Sequence, residues 1–218
     1  MYEECNMRKN YLTLKKDGNS EIVISKSRFI ANCKRVETEQ QAIDFIQSIK
    51  KAHRSATHNC SAYLIGEQDQ IQKASDDGEP SGTAGVPILE VLKKQHLKDT
   101  VVVITRYFGG IKLGAGGLVR AYGKATTAGI DASGIVERRL HHLMKIVVDY
   151  VWLGKLENEI RNSPYSIKNI NYADRVEFFV FVPKEEESSF TEWLVEMTNG
   201  QATITRDDIL FLEFEKSN

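Results

Sequence analysis

Glycines and basic residues are concentrated in one stretch of the chain, in a pattern that suits the binding of an anion. Residues 101–125 read VVVITRYFGGIKLGAGGLVRAYGKA, an apolar run followed by a glycine-rich loop and a predicted helix. Glycines let the backbone approach a ligand closely, and the N-terminus of a helix presents unpaired N–H groups and the positive end of its dipole. The stretch therefore predicts a phosphate-binding loop, with contacts from Arg106, Gly109, Gly110, Lys112, Gly114, Gly116, Gly117, Arg120 and Lys124.

The loop matches neither of the two common nucleotide-binding motifs. A P-loop ends in Gly-Lys-Ser/Thr, whereas Gly114 is followed by Ala115. The dinucleotide fingerprint needs a further glycine where this chain has Val119. The alternative interpretation is structural: the glycines allow a sharp turn and close helix packing, and Arg120 and Lys124 form a solvated face. The residues alone leave both interpretations open.

A second polar stretch, DDGEPSG at residues 76–82, carries three carboxylates in four positions. Calcium loops draw ligands from alternate positions over about 12 residues, and the proline at position 80 comes too early for that, so we predict a turn and no metal. A helix is predicted to begin within residues 83–87, and its N–H groups can join the anion site. The possible contributors from this second loop are Asp76, Asp77, Glu79, Ser81 and Thr83.

His58 and Cys60 raise the question of a nucleophilic pair. On a predicted strand they lie on the same face, about 6.6 Å apart along the axis, which is beyond hydrogen-bond reach. No third group that would orient the histidine is evident. We interpret them as a half-buried thiol and a histidine of the core or its rim, and we assign no catalytic residue and no cofactor.

Composition and charge describe a folded protein with an uneven charge distribution. Of 218 residues, 41% are hydrophobic and 27% charged, and the net charge is −1. Residues 1–140 carry 21 basic and 16 acidic residues, and residues 141–218 carry 8 and 14. The first part is therefore at +5 and the second at −6, which favours a polyanionic partner for the first.

Cysteine usage and the distribution of apolar residues predict a cytoplasmic protein. Cys5, Cys33 and Cys60 are odd in number and widely spaced, which argues against a disulfide framework and a zinc site. The first ten residues, MYEECNMRKN, do not resemble a signal peptide. No stretch has the roughly 18 apolar residues of a membrane helix, so we expect no membrane partner.

Two domains are predicted, at residues 1–138 and 139–218. In the first, strands are expected around residues 21–36, 58–75 and 101–104, with helices after Thr38, after residue 83 and after the glycine loop. The second shows the order β-α-β-β-α-β, which commonly folds as a ferredoxin-like sandwich. The phenylalanines at 178, 179 and 181 alternate within the predicted hairpin, where core packing is their usual role.

Two long motifs, SDDGEPSGTAGVPIL and VVVITRYFGGIKLGAGGLVRAYGKA, together with ATHNCSAY upstream, resemble the signature of the YigZ/IMPACT family. The resemblance covers about residues 20–132, and the C-terminal part is similar to the second domain of bacterial members. It implies an α+β protein. Its N-terminal domain would have the left-handed βαβ type of a ribosomal protein and elongation factor G, and its C-terminal domain would be a ferredoxin-like α/β sandwich.

The same resemblance implies a role in translation. The eukaryotic relatives bind a ribosome-associated activator of a starvation-response kinase and so regulate initiation. We therefore expect a non-catalytic regulatory protein that binds RNA or the ribosome, without DNA specificity, and that has a protein partner in translation control. Two alternatives remain. One is an enzyme acting on a small phosphorylated or peptidyl substrate through Asp76, Asp77 or Glu79, and the other a protein-interaction module using the aromatic residues of RYFGG.

Overall fold

The computed structural model describes residues 8–216, which form two compact units. One unit comprises residues 10–138 and 214–216, and the other residues 8–9 and 139–213. Cys5 lies outside the described residues. The elements in chain order are β1 Tyr11–Leu14, β2 Gly18–Ile24, β3 Ser27–Arg35, α1 Glu39–Ala52, β4 His58–Ile65, β5 Ile71–Ser75, α2 Gly85–Lys94, β6 Thr100–Tyr107, α3 Gly114–Ser133, β7 Ile135–Val148, α4 Leu153–Arg161, β8 Ser166–Tyr172, β9 Val176–Pro183, α5 Glu187–Met197 and β10 Thr203–Glu215.

The N-terminal unit is built on a five-stranded sheet in the order β2-β3-β6-β4-β5. Strands β3 and β4 both run antiparallel to β6, so they are parallel to each other, and α1 connects them. This arrangement is a βαβ unit with β6 inserted between its two strands. The predicted hairpins β2–β3 and β4–β5 are both present, which confirms the strand assignments around residues 21–36 and 58–75.

Strand β6 is buried on both faces, as its run of valines predicts. Val102 and Ile104 pack into the main core with side chains of α2 and α3, while Val101 packs with Ala42 of α1 and Tyr63. Helices therefore cover both sides of the central strand. This packing fixes the end of β6, from which the glycine-rich loop leaves.

Helix α1 begins as the sequence predicts. The Thr38 side chain accepts a hydrogen bond from the backbone N–H of Gln41 at 3.3 Å, and the Gln41 side chain accepts one from the N–H of Glu37 at 2.8 Å. These bonds satisfy N–H groups that have no partner within the helix.

The C-terminal unit has the strand order β10-β7-β9-β8. Its core contains Ile146, Phe178 and Val180 from the sheet, with Leu156 of α4 and Phe190 of α5. This is the ferredoxin-like sandwich predicted from the element order, and it confirms an α+β chain. None of the helices within residues 8–216 is long and apolar enough to cross a membrane.

Two glycines of α3 offer a matched test of how closely this helix packs on the sheet. A Cβ at Gly129 would lie 2.7 Å from Ala31 Cβ and from Cys33 Sγ, whereas one at Gly123 would lie 3.9 Å from Val91 Cγ2. We predict that Gly129→Ala lowers the free energy of unfolding by about 1–3 kcal/mol through overpacking. Gly123→Ala should raise it by about 0.5–1 kcal/mol through helix propensity. Urea unfolding of both variants tests this, and equal effects would contradict the packing described.

Candidate anion-binding site

The glycine-rich loop and the DDGEPSG turn meet at one cavity of about 460 Å³ in the N-terminal unit. His58 at the start of β4 and Glu79 of the turn line one part of it. Arg106 at the end of β6, Lys112 of the loop and Ala115 in the first turn of α3 line the rest. Residues distant in the sequence converge here because β4 begins, β6 ends and α3 begins beside the same cavity.

A buried ion pair joins the two loops. Arg106 Nη1 lies 2.6 Å from Glu79 Oε1, and the two side chains are only 6% and 3% exposed. The same carboxylate oxygen accepts a hydrogen bond from the Tyr122 hydroxyl at 2.8 Å, and Arg106 Nη2 lies 3.4 Å from the Ser27 hydroxyl. Arg106, predicted as a phosphate contact, is therefore a buried side chain that lines the cavity and is paired with Glu79.

Behind the ion pair, Cys60 and Tyr122 form a buried polar contact. The single proton of the Cys60 thiol can be donated to the carbonyl oxygen of Asp76 at 2.9 Å or to the Tyr122 hydroxyl oxygen at 3.3 Å. Burial raises the pKa of the Cys60 thiol to about 12, and burial also raises the pKa of Tyr122. A thiol in this state is not a nucleophile near neutral pH, and Cys60 is fully rather than half buried.

His58 is half-buried at the wall of the cavity. Its Nδ1 lies 2.9 Å from the carbonyl oxygen of Asp77, so Nδ1 carries the proton, because a carbonyl oxygen can only accept. The other nitrogen, Nε2, lies 3.8 Å from Glu79 Oε2. The ring is thus held in one orientation with Nε2 towards the ion pair.

Asp76 and Asp77 hold the turn in place. The Asp76 carboxylate accepts hydrogen bonds from the N–H groups of Gly82, Ala84 and Gly85 at 2.8–3.0 Å, where α2 begins. Asp77 pairs with Lys50 at 2.5 Å and accepts from the Asn59 N–H at 2.7 Å.

These contacts also set the charge state of both aspartates. Burial raises the pKa of each carboxyl, but the hydrogen bonds outweigh burial, and the net pKa lies below its usual range. Both side chains are therefore engaged with the protein and, unlike Glu79, do not line the cavity.

The glycines of the loop have different structural roles. A Cβ at Gly109 would lie 2.0 Å from the Lys26 backbone, and the Gly109 N–H donates to the Ser27 hydroxyl at 3.2 Å, so this glycine is needed for packing. Gly110 and Gly114 have φ of 84° and 67°, the left-handed region that favours glycine. A Cβ at Gly116 would contact nothing within 4 Å. The structural interpretation of this loop therefore accounts for Gly109, Gly110 and Gly114 and does not account for Gly116.

Helix α3 begins at the cavity with Gly114, and no side chain caps it. Its first turn contains no acidic residue, whereas the start of α2 is satisfied by Asp76. Ala115 and Gly116 are exposed, and Gly117 is half-buried. The helix start therefore presents N–H groups and a positive dipole end that no side chain of residues 8–216 caps.

Three predicted cations are exposed: Lys112, Arg120 and Lys124. None of them forms an ion pair with any residue between 8 and 216. Lys112 lines the cavity, while Arg120 and Lys124 lie outside it on α3, one helical turn apart.

The second loop contributes fewer groups to the cavity than predicted. Ser81 is exposed and does not line it, and Thr83 is buried with its hydroxyl donating to the Pro80 carbonyl at 2.6 Å. Two residues of α3 belong to the site although no functional role was predicted for them: Leu118 lines the cavity and the Tyr122 hydroxyl bonds Glu79. The signal in the sequence was their shared place in the apolar stripe of this helix, which indicates burial and does not reveal a polar contact.

Comparisons with known proteins cover most of the chain. Residues 25–130 match the family model of the Impact N-terminal domain, and residues 146–201 match that of a domain of unknown function (DUF1949). The chain is 58% identical over 207 residues to the IMPACT family member YvyE of Bacillus subtilis, covering 95% of each chain. It is 33% identical over 181 residues to the IMPACT family member YigZ of Escherichia coli, covering 81% of this chain and 88% of the relative.

A solved structure has a similar fold. It is a crystal structure of a hypothetical protein, with a TM-score of 0.59 and 28% sequence identity. The match covers 93% of this chain and 99% of the other.

The Asp76 carboxylate predicts a stability that depends on pH. Because its folded pKa is depressed, its contribution is present above its unfolded pKa of about 3.9 and is lost as pH falls through the folded pKa. We predict that Asp76→Asn lowers the free energy of unfolding by about 2 kcal/mol at pH 7, because hydrogen bonds to a charged acceptor are lost. The difference between variant and wild type should shrink below about pH 4. Urea unfolding from pH 7 to pH 3 measures it, and a constant difference would contradict this role.

The buried ion pair predicts non-additive substitutions. Glu79→Ala leaves Arg106 buried without its counter-ion, so we expect a loss of about 3–5 kcal/mol in the free energy of unfolding. Arg106→Ala should cost a similar amount, and the double variant less than the sum of the two. A double-mutant cycle by chemical denaturation measures the coupling. Additive losses would show that the two side chains do not stabilise each other.

Proposed function

This chain belongs to the IMPACT family, and from that premise we propose that it is a translation-associated protein that binds RNA, alone or within the ribosome, at the start of α3. The family match confirms the resemblance of the signature motifs. The link to translation comes from the role in initiation that the resemblance implies for the eukaryotic relatives. The RNA surface is argued from the geometry of the N-terminal unit.

The observation that carries the proposal is the group of three exposed cations at and beyond an uncapped helix start. Lys112, Arg120 and Lys124 have no ion-pair partner within residues 8–216, and no side chain caps α3. Arg120 and Lys124 share one helix face, about 6 Å apart along the axis. Such a row suits successive phosphate groups of a nucleic acid backbone.

The placement of negative charge supports the same surface. The carboxylates near the loop are paired inside the unit: Glu79 with Arg106, Asp77 with Lys50, and Asp76 with backbone N–H groups. Basic charge on the α3 surface is therefore not cancelled by these acids. An approaching polyanion would meet N–H groups and exposed cations.

Binding to ribosomes and to single-stranded RNA at about 50 and 200 mM salt tests the proposal, since phosphate contacts make affinity salt-dependent. We predict that a Lys112, Arg120 and Lys124 triple alanine variant loses at least about tenfold in affinity and has a shallower salt dependence. Filter binding and ribosome sedimentation are suitable measurements.

A matched control removes the same charge elsewhere in the unit. Lys16, Lys51 and Lys73 are exposed and do not line the cavity, and their triple alanine variant should bind like wild type. Equal losses in both variants, or no binding by wild type at low salt, would contradict the proposal.

Exposed apolar side chains at the same loop favour a second candidate, a protein-binding surface. Phe108, Ile111 and Val119 are 47%, 44% and 41% exposed, and aromatic and apolar anchors are common in protein interfaces. Co-sedimentation with ribosomes before and after RNase treatment separates the two candidates. Retention that depends on Phe108 and Ile111, but not on the three cations or on RNA, would favour the protein partner.

A further inference from the structure

The cavity beside α3 has features that a backbone contact to RNA does not require. Its volume of about 460 Å³ lies within the range of about 300–1,000 Å³ typical of small-molecule sites. Arg120 and Lys124 do not line it. The cavity is therefore a separate element from the exposed row of cations, although Lys112 borders both.

Positive groups converge on one part of the cavity. Gly114 and Ala115 line it at the uncapped start of α3, and Lys112 precedes them. Arg106 also lines the cavity, is only 5% exposed, and its Nε has no hydrogen-bond partner within the described chain. Its guanidinium is bonded to Glu79 and Ser27, so Arg106 shapes the wall, and the groups open to an anion are Lys112 and the start of α3.

The single carboxylate that lines the cavity does not oppose an anion. Glu79 Oε1 is bound by Arg106 and Tyr122, so the pair carries no net charge. Asp76 and Asp77 do not line the cavity. The helix start and Lys112 therefore determine the sign of the local field.

Apart from Thr57 and His58, the rest of the wall is apolar and includes an exposed aromatic ring. Phe108, Leu113 and Leu118 line the cavity together with Pro80. Phe108 is 47% exposed, and the Arg106 guanidinium lies 5.5 Å from its ring centroid. Aromatic side chains of this kind stack on nucleobases.

We propose that this cavity binds a nucleotide through a phosphate monoester at the start of α3, with its base against Phe108. The inference rests on the proposed function and names the ligand group within it. A monoester offers three terminal oxygens and nearly two negative charges, which match the helix N–H groups and Lys112. A diester inside an RNA chain offers only two free oxygens, so free nucleotides and phosphorylated RNA ends are preferred.

Calorimetric titration of the full-length chain with AMP, adenosine and inorganic phosphate tests the cavity directly. We expect AMP to bind at least about tenfold more tightly than either fragment, because each supplies only part of the contacts. No AMP binding, or equal binding of AMP and adenosine, would overturn the inference.

Single substitutions separate the cavity from the row of cations. Ala115→Glu places a carboxylate in the first turn of α3, which stabilises the helix while repelling a phosphate. We predict a loss of at least about tenfold in AMP affinity with an unchanged or higher melting temperature. Lys124→Ala, outside the cavity, should leave AMP affinity unchanged. Phe108→Ala should lower the affinity for AMP but leave the affinity for inorganic phosphate unchanged. An AMP affinity that Ala115→Glu does not change would also overturn the assignment.

A short single-stranded oligoribonucleotide with a 5′-phosphate, a 3′-phosphate or hydroxyl ends identifies the source of the monoester. Tighter binding of a phosphorylated oligonucleotide supports an RNA end as ligand, and AMP binding without any RNA binding supports a free nucleotide and overturns the proposed function. The protein could instead bind RNA through the three cations, without binding AMP and without preferring a terminal phosphate. That result overturns this inference and leaves the proposed function standing.

Discussion

Glu79 and Arg106 form a buried ion pair at the point where the DDGEPSG turn meets the end of β6. Their 2.6 Å contact joins the two signature stretches, and the Tyr122 hydroxyl of α3 donates a hydrogen bond to the same Glu79 oxygen. Burying either charge alone would be costly, so the turn, the strand and the helix are held in one arrangement. The position of the cavity follows from this constraint, because its walls are residues adjacent to the pair.

The same constraint separates the two signs of charge around the site. The carboxylates of the turn bind Arg106, Lys50 and the start of α2, while within residues 8–216 Lys112 forms no ion pair and the start of α3 has no side-chain cap. A helix start without a cap is usually satisfied by water or a ligand. The two signature stretches of this chain therefore contain both a buried framework and exposed basic residues.

Much of the fold could be predicted because it depends on local patterns. The Thr38 cap, the buried valines of β6 and the β-α-β-β-α-β order each specify an element from neighbouring residues, and all three are confirmed. The site was harder because it depends on pairing between distant residues. No local sequence pattern distinguishes Arg106, which is buried, from Arg120, which is exposed. Only the register of β6 between β3 and β4 places Arg106 beside Glu79. Likewise, Gly109 and Gly116 are indistinguishable in sequence, yet the first packs on Lys26 and the second faces open space.

An RNA-binding surface at the start of α3 and its flanking cations can be tested by titrating ¹⁵N-labelled protein with single-stranded RNA at low salt and following the backbone amide resonances by NMR. We expect the largest shifts on the amides of residues 110–118, with smaller ones along α3 as far as Lys124. Shifts confined to other surfaces, such as the sheet of the C-terminal unit, or no shifts with RNA, would contradict it.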